Sequence, residues 1–217
     1  VGWVKFPEGL GSVVLPVDDP GVSVEEEYTN MAGYSQTHVQ IDDVTIPESH
    51  VLTRGRDAFK EQLVSLNWER LGSSICATAW ATAGLEYALD YAQEREQFDQ
   101  PIADFQGMEW KLAEMYRQVE TAAATVYDAA GSAQGHEDPP SRLRTSVAKL
   151  HCSETAERVV SEAVQTVGAR AYQQGHPLEY LYRLTRGRRI AAGTDEVMKN
   201  TIARALKEEG VPAVSER

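Results

Sequence analysis

Apolar positions along this 217-residue chain follow two different periods. Up to about residue 55 they favour β-structure. Val13, Val14, Leu15 and Val17 form a β-rich run ahead of the turn Asp18-Asp19-Pro20-Gly21. Val39/Ile41 and Val44/Ile46 alternate with polar residues on either side of Asp42-Asp43. Alternation is the mark of a half-buried strand, and the paired aspartates predict a bulge or tight bend within it, with Pro47 ending it. So few strands cannot close a sheet by themselves, and residues 1–55 read as part of a β-domain.

From Arg56 the period lengthens. Residues 56–95 read as helix, interrupted near Ser65-Leu66-Asn67, with Ile75, Ala79, Ala83, Tyr87 and Tyr91 recurring at every fourth position. Ala, Gly, Ser and Thr are so frequent here that a neighbouring helix can approach closely. Pro101 marks a helix start. Phe105, Met108, Leu112, Met115, Val119, Ala122 and Val126 then follow in steps of three and four, a long amphipathic helix. Gly131, Gly135, Pro139 and Pro140 make the next loop. Val147, Leu150, Val159, Val160, Ala163, Val164 and Val167 mark another long helix, and residues 178–186 a short one. The last helix is predicted from Thr194 to Gly210, with Pro212 just beyond as a stop signal. The fold class is mainly α: an up-down antiparallel helical bundle over residues 56–217, preceded by the partial β-domain.

Composition narrows the functional classes. Apolar residues make up 42 % of the chain, enough for a sizeable core, and the net charge is −12. A nucleic-acid binder would show a basic face, and none is present. An anionic ligand would need a local basic pocket against this background. The longest uncharged run, residues 71–85, is 15 residues of mostly small side chains. A membrane span needs roughly 20 strongly apolar residues, so this run reads as a buried helix. The start of the chain lacks a basic-then-apolar leader pattern, which with two buried thiols at Cys76 and Cys152 suggests a cytoplasmic setting. His38, His50, His136, His151 and His176 are scattered without metal-ligand spacing, so no metal is expected.

The stretch RIAAGTDEVMKN, from Arg189 to Asn200, has every device of a helix start. Gly193 permits an unusual backbone angle, Thr194 can cap, and Asp195 and Glu196 put negative charge in the first turn. A second ordered stretch is YAQEREQFDQPIADFQ, followed by Lys111-Leu112-Ala113-Glu114-Met115. It resembles the acyl-CoA dehydrogenase family. So do residues 31–52 ending in IDDVTIPESHVL, the run from Ala163 to Gly168, the run from Pro177 to Arg183, and RIAAGTDEVMKNTIARAL. The spacings between these motifs fit the family without a gap, and the likeness covers essentially the whole chain.

The resemblance implies a fold and a chemistry. The chain is similar to the end of the family's middle β-domain, residues 1–55, plus its C-terminal four-helix bundle, residues 56–217. The family's N-terminal helices and earlier strands have no counterpart here, so this portion alone should hold flavin poorly. Family members oxidise an acyl-CoA thioester to the trans-2-enoyl-CoA with flavin adenine dinucleotide (FAD). A carboxylate takes the α-proton, the β-hydrogen leaves as hydride to flavin N5, and a backbone N–H polarises the thioester carbonyl. The matching N–H belongs to Ala192, with Gly193 beside the substrate. Many members carry the base in this turn as Glu-Gly-Thr, whereas here the turn is Ala-Ala-Gly-Thr. The isovaleryl- and long-chain-type members place it on a long helix just before an arginine, which corresponds to Glu69, with Arg70 on the substrate side. A base in an apolar acyl pocket is expected to be buried with a raised pKa.

Carried over residue by residue, Arg95, flanked by Gln97 and Phe98, resembles the arginine that meets the flavin pyrophosphate of a neighbouring subunit. Gln165 and Gly168 resemble residues approaching the adenosine end, and Thr194 and Glu196 lie where the last helix meets its own flavin. The family pattern departs at two places: the glycine-rich turn after Gln165 is Gly168-Ala169-Arg170-Ala171, and the expected Arg-Asp pair is Arg183-Leu184. Arg186, Arg188 and Arg189 form a basic run, either a solvated face or a counter-charge to cofactor or coenzyme A phosphates. Ordinary roles stand beside these: Phe98 as core, Gln165 as a surface polar residue, Thr194 as a simple cap and Glu69 as half of a salt bridge. The implied partners are an acyl-CoA, an electron-transfer flavoprotein as acceptor, and further copies of the chain in a dimer or tetramer. Two other readings keep the fold: a catalytically inert subunit packed on an active one, and a dehydrogenase of carrier-protein-bound acyl groups.

Overall fold

A computed structural model describes residues 1–135 and 138–212, and His136 therefore lies outside the described residues. The chain divides into two compact units, Val1–Leu66 and Asn67–Arg217.

In the first unit, β1 (Gly2–Phe6), β2 (Gly9–Val13) and β5 (Val51–Thr53) form an antiparallel sheet in the order β1-β2-β5. The central strand carries the buried residues Ser12 and Val13. Gly11 is required there, since a Cβ would sit 2.2 Å from the Thr53 carbonyl oxygen. Ser12 and Thr53 share a hydroxyl–hydroxyl hydrogen bond of 3.0 Å, and the Gln62 amide donates to Thr53 Oγ1 at 2.9 Å. A separate hairpin pairs β3 (Val22–Thr29) with β4 (Ser35–Ile41), with a register shift between Val24 and Glu26. Every residue of β4 is exposed.

The strands differ in extent from the sequence expectation. The run expected over residues 13–17 ends at Val13, and β4 stops at Ile41. Asp43 adopts a φ of 48°, so the paired aspartates terminate the strand rather than bend it. Pro47 instead caps a 3-10 turn, Glu48–His50. β1 and β3 carry no clear sequence signal, because glycine and acidic residues mask their alternation.

The second unit is the helical bundle. α1 (Ala58–Glu94) runs unbroken for 37 residues through the point of division. No interruption occurs near Ser65, whose hydroxyl folds back on the Gln62 carbonyl at 2.7 Å. Of the predicted row, Ile75, Ala79 and Ala83 are exposed while Tyr87 and Tyr91 are half-buried against the core; the fully buried face lies one step round, at Leu71, Ser74, Ala77, Ala81, Leu85, Ala88 and Ala92. The reason is steric. A Cβ on Gly84 would come 3.1 Å from Val160 Cγ2, so α1 packs closely on the helix of Val160 at this glycine, flanked on the same face by Ala77, Ala81 and Ala88.

A short hairpin follows, β6 (Glu96–Gln97) with β7 (Gln100–Pro101). Its two turn residues, Phe98 and Asp99, have φ of 54° and 65°, as a tight primed turn demands. α2 (Gln106–Gly131) buries Met115, Val119, Ala122 and Val126, as its periodicity predicts. α3 (Arg142–Val167) is the innermost helix, with thirteen buried residues. It ends at Gly168, whose φ of 71° suits only glycine well. Ala169 and Ala171 avoid positive φ because a 3-10 turn, Gly168–Arg170, follows directly. α4 (Pro177–Arg188) and α5 (Asp195–Glu209) complete the bundle, the latter capped by Thr194 and stopped at Gly210. Cys76 is exposed, contrary to expectation, and Cys152 is buried; both are free.

Candidate active site

The site is the link between α4 and α5. Ile190 and Ala191 N–H both donate to the Gly187 carbonyl, at 3.1 and 3.0 Å, closing off α4. The chain then reverses through Ala192 at φ 55° and Gly193 at φ 105°. The φ of Gly193 is one that L side chains rarely adopt, and a Cβ there would also press on Met198 Cε at 2.8 Å. Alanine in the left-handed region is uncommon and strained by about 1–2 kcal/mol, so the surroundings must hold it. They do so through its carbonyls. Arg70 on α1 donates through Nε to the Ala192 carbonyl at 3.4 Å. Lys149 on α3 donates through Nζ to the Gly193 carbonyl at 2.5 Å. Thr194 Oγ1 accepts from Val197 N–H, and the Thr194 carbonyl from Met198 N–H. Among the described residues no acceptor takes the Ala192 N–H. That is the state required of a donor kept for a ligand oxygen.

Arg70 and Lys149 are 8 % and 0 % exposed. Burial lowers both cations below their ordinary pKa, opposed at Arg70 by the Glu69 carboxylate and at Lys149 chiefly by Asp195. Asn67 steadies Arg70 by accepting from Nη1 at 3.4 Å, while its own amide donates to the Pro140 carbonyl at 3.1 Å. Glu69, one residue along α1 and so about 100° round the helix, is exposed. The burial expected of it is therefore absent from this chain, because helical geometry gives Arg70 the inward direction.

The structure brings Arg70, Ala192, Gly193 and the Thr194 cap together. Glu196 is exposed in the first turn of α5, and its own N–H and the Thr194 hydroxyl hold its carboxyl below the usual range. The remaining predicted residues fall in two other places. Arg95, Gln97 and Phe98 sit on the β6–β7 hairpin and make no hydrogen bond, ion pair or ring contact with residues 192–196 among the described residues. Phe98 is 88 % exposed, not core, and touches Phe105 edge-on at 6.2 Å between centroids. The Arg95 guanidinium has no ion-pair partner among the described residues. Gln165 borders a cavity of about 650 Å³ with Val164, Tyr172, Tyr182 and Arg183, and Gly168 lies a turn further on. A guanidinium and an exposed aromatic ring on one short segment are the residue types that could hold a ligand combining an anionic phosphate with a flat ring.

Each arginine of the basic run has a partner within the chain. Arg189 contacts Glu157 at 2.7 Å and Asp195 at 2.6 Å, Arg186 lies 3.6 Å from Glu157, and Arg188 stacks over Trp80 at 4.8 Å. Arg183 finds its carboxylate in Glu179 at 2.5 Å instead of at residue 184. Sequence reasoning missed Lys149. The signal is present: Thr145, Lys149, Cys152 and Ala156 recur at helical spacing along the buried stripe of α3.

Residues 54–207 match the C-terminal domain of acyl-CoA dehydrogenases, and the chain belongs to the acyl-CoA dehydrogenase family. Family members are FAD flavoproteins. The chain is 32 % identical to a probable acyl-CoA dehydrogenase, YngJ, of Bacillus subtilis over 199 residues, covering 91 % of this chain and 52 % of that protein. It is also 32 % identical to a 3-sulfinopropanoyl-CoA desulfinase of Paraburkholderia xenovorans over 200 residues, covering 90 % and 51 %. Its structure is similar to butyryl-CoA dehydrogenase from Megasphaera elsdenii, with a TM-score of 0.84, 31 % identity, and coverage of 92 % and 52 %. The chain thus spans about half the length of the relatives it matches. Among the described residues no helix is long and apolar enough to cross a membrane, and no cluster of metal-ligating side chains occurs.

Proposed function

We propose that this chain is the C-terminal portion, divided near residue 55, of a flavoprotein that dehydrogenates an acyl-CoA thioester to the trans-2-enoyl-CoA. The observation that carries this reading is an Ala192 N–H with no acceptor among the described residues, in a turn whose carbonyls are held by two buried cations. A thioester oxygen placed there gains a donor that needs no reorganisation as enolate charge develops. The turn carries no carboxylate, so the base comes from α1. Glu69 is the residue next to the arginine that grips the turn, and its exposure in this chain leaves it free to meet a substrate α-carbon. Bound FAD supplies the acceptor for the β-hydrogen as hydride. Arg95, Gln97 and Phe98 would hold the pyrophosphate side of a neighbouring subunit's cofactor, Gln165 and Gly168 its adenosine side, and Thr194 and Glu196 the chain's own flavin.

Exposed Trp110 and Tyr127 on α2 support assembly into a dimer or tetramer. An electron-transfer flavoprotein is the acceptor we infer. The chain is similar, with a TM-score of 0.83, to one in a structure of the electron transferring flavoprotein of Acidaminococcus fermentans. A cytoplasmic setting fits the two free thiols. The reading is tested in the full-length flavoprotein by Glu69→Gln, with flavin bleaching by acyl-CoA as readout. Loss of bleaching by about 10²- to 10⁴-fold is expected of a lost general base; an unchanged rate removes Glu69 from the mechanism. The absent turn carboxylate favours a second reading, chemistry at the acyl chain other than dehydrogenation; two relatives are named 3-sulfinopropanoyl-CoA desulfinase. Full flavin occupancy without bleaching of the parent protein by any acyl-CoA would support it.

A further inference from the structure

Lys149 is the largest fully buried side chain among the described residues. Burying an ammonium is unfavourable unless it is paired and hydrogen-bonded, so an apolar residue would be the ordinary occupant of this position on α3. The ammonium has one described hydrogen bond, to the Gly193 carbonyl. The charges that face it are Asp195 and Glu196, which favour it, and Arg70 and Arg189, which oppose it. Neutralising Asp195 does not require it, because Arg189 already places Nε 2.6 Å from Asp195 Oδ2.

We propose that Lys149 is a positioning residue for the oxyanion-binding turn: from inside α3 it fixes the Gly193 carbonyl while Arg70 fixes that of Ala192, which holds the Ala192 N–H aimed at the thioester oxygen. The geometry explains why two anchors are needed. The Ala192 amide lies between an upstream peptide pinned by the Ala191-to-Gly187 hydrogen bond and two downstream peptides pinned by the cations. Ala192 holds its strained φ of 55° only while both sides are fixed. Without Lys149 the flexible Gly193 can rotate, and the alanine relaxes away from the left-handed region. The inference rests on the dehydrogenase reading given above, and its test is arranged to fail separately from that reading.

The test uses the full-length, FAD-loaded protein and three variants: Lys149→Met, which removes the donor; Lys149→Gln, which is too short to reach; and Lys149→Arg, which restores a charged donor. A bound enoyl-CoA labelled with ¹³C at the thioester carbonyl reports its polarisation through the infrared C=O stretch, independently of turnover. For K149M and K149Q the expected results are a stretch displaced toward its free-solution position, kcat lower by about 10²-fold, the scale of losing one oxyanion donor, and KM and flavin content little changed. K149R should recover part of both. An unmoved stretch in a flavin-loaded variant overturns the proposal, as does a fall in kcat that merely follows flavin loss. Failure of all three variants to accumulate as flavoprotein assigns Lys149 to stability alone and also overturns it. If the flavin-loaded parent protein is not bleached by any acyl-CoA, the dehydrogenase reading falls; if E69Q bleaches at the parent rate, only the role of Glu69 falls. If E69Q abolishes bleaching while the K149M carbonyl stretch is unmoved, that reading stands and the role of Lys149 does not.

Discussion

Arg189 places Nε and Nη2 both 2.6 Å from a single oxygen of Asp195, Oδ2, and so ties the last residue of the α4 cap to the first residue of α5. Asp195 is 4 % exposed, and its other oxygen has no hydrogen-bond partner among the described residues. Hydrogen bonds from Arg189 to Glu157 and Asp195 hold the guanidinium's pKa well above its ordinary value. The pair is thus the clasp beneath the Ala192–Gly193 turn. Removing one member of a buried pair leaves an uncompensated charge, whereas removing both does not. Arg189→Leu should destabilise the chain by about 2 kcal/mol in urea unfolding, below the range for a fully buried pair, because Arg189 is 33 % exposed and Lys149 remains nearby. Adding Asp195→Asn to that variant should recover most of the loss. A double variant as unstable as the sum of the two single ones would refute the clasp.

The same pair shows how much is legible in the sequence. Asp195 reads as a first-turn helix residue, because capping chemistry is local and Thr194-Asp195-Glu196 states it in three residues. Its burial and its partner do not, since both depend on how α4 folds back, which no local pattern encodes. The existence of α2, α3 and α5 is plain where large apolar residues keep strict period. In α1 the period finds Tyr87 and Tyr91 but misses the fully buried face, because Gly84 and the alanines let steric approach decide the packing. In the site, the Ala192–Gly193 turn follows from a family likeness, and Arg70 from its place beside Glu69. Lys149 stands on a helical stripe, but its charge argues locally for the surface. β1, β3 and the β6–β7 hairpin are hard to see because glycine and acidic residues break the first two, and the positive-φ turn at Phe98 and Asp99 uses residues with no turn signature.

Ala192 holds a φ that glycine adopts freely. Ala192→Gly should therefore relieve the strain of the left-handed alanine, worth about 1–2 kcal/mol. The gain is reduced by the greater freedom of glycine in the unfolded chain, about 0.4–1 kcal/mol. The expected net effect is a small stabilisation, up to about 1 kcal/mol, seen as a midpoint roughly 2–4 °C higher at this chain length. A fall in the thermal midpoint would mean that Ala192 is not strained and that its methyl packs usefully instead. Bleaching by acyl-CoA in the full-length protein should move the opposite way, since a second glycine beside Gly193 loosens the donor.

Acid should act on one surface cluster in a defined window. Glu114 receives both Nε and Nη2 of Arg117, at 2.7 and 2.5 Å, and the Gln118 amide at 2.7 Å. These hydrogen bonds, Arg117 first and Gln118 second, pull its carboxyl down from 4.5 to about 2. A folded pKa below the unfolded one means that the unfolded chain binds the extra proton between the two values. The contribution is complete above pH 4.5 and is lost as pH falls toward 2. Glu114→Gln keeps the size of the side chain and removes the titration. The parent should exceed this variant in urea midpoint at pH 7, by an amount that shrinks below pH 4.5 and closes near pH 2. Because the carboxylate is exposed, about 0.5 M salt should narrow the gap at pH 7 as well. A gap that stays constant from pH 7 to pH 2 would show that Glu114 stabilises α2 by something other than its charge.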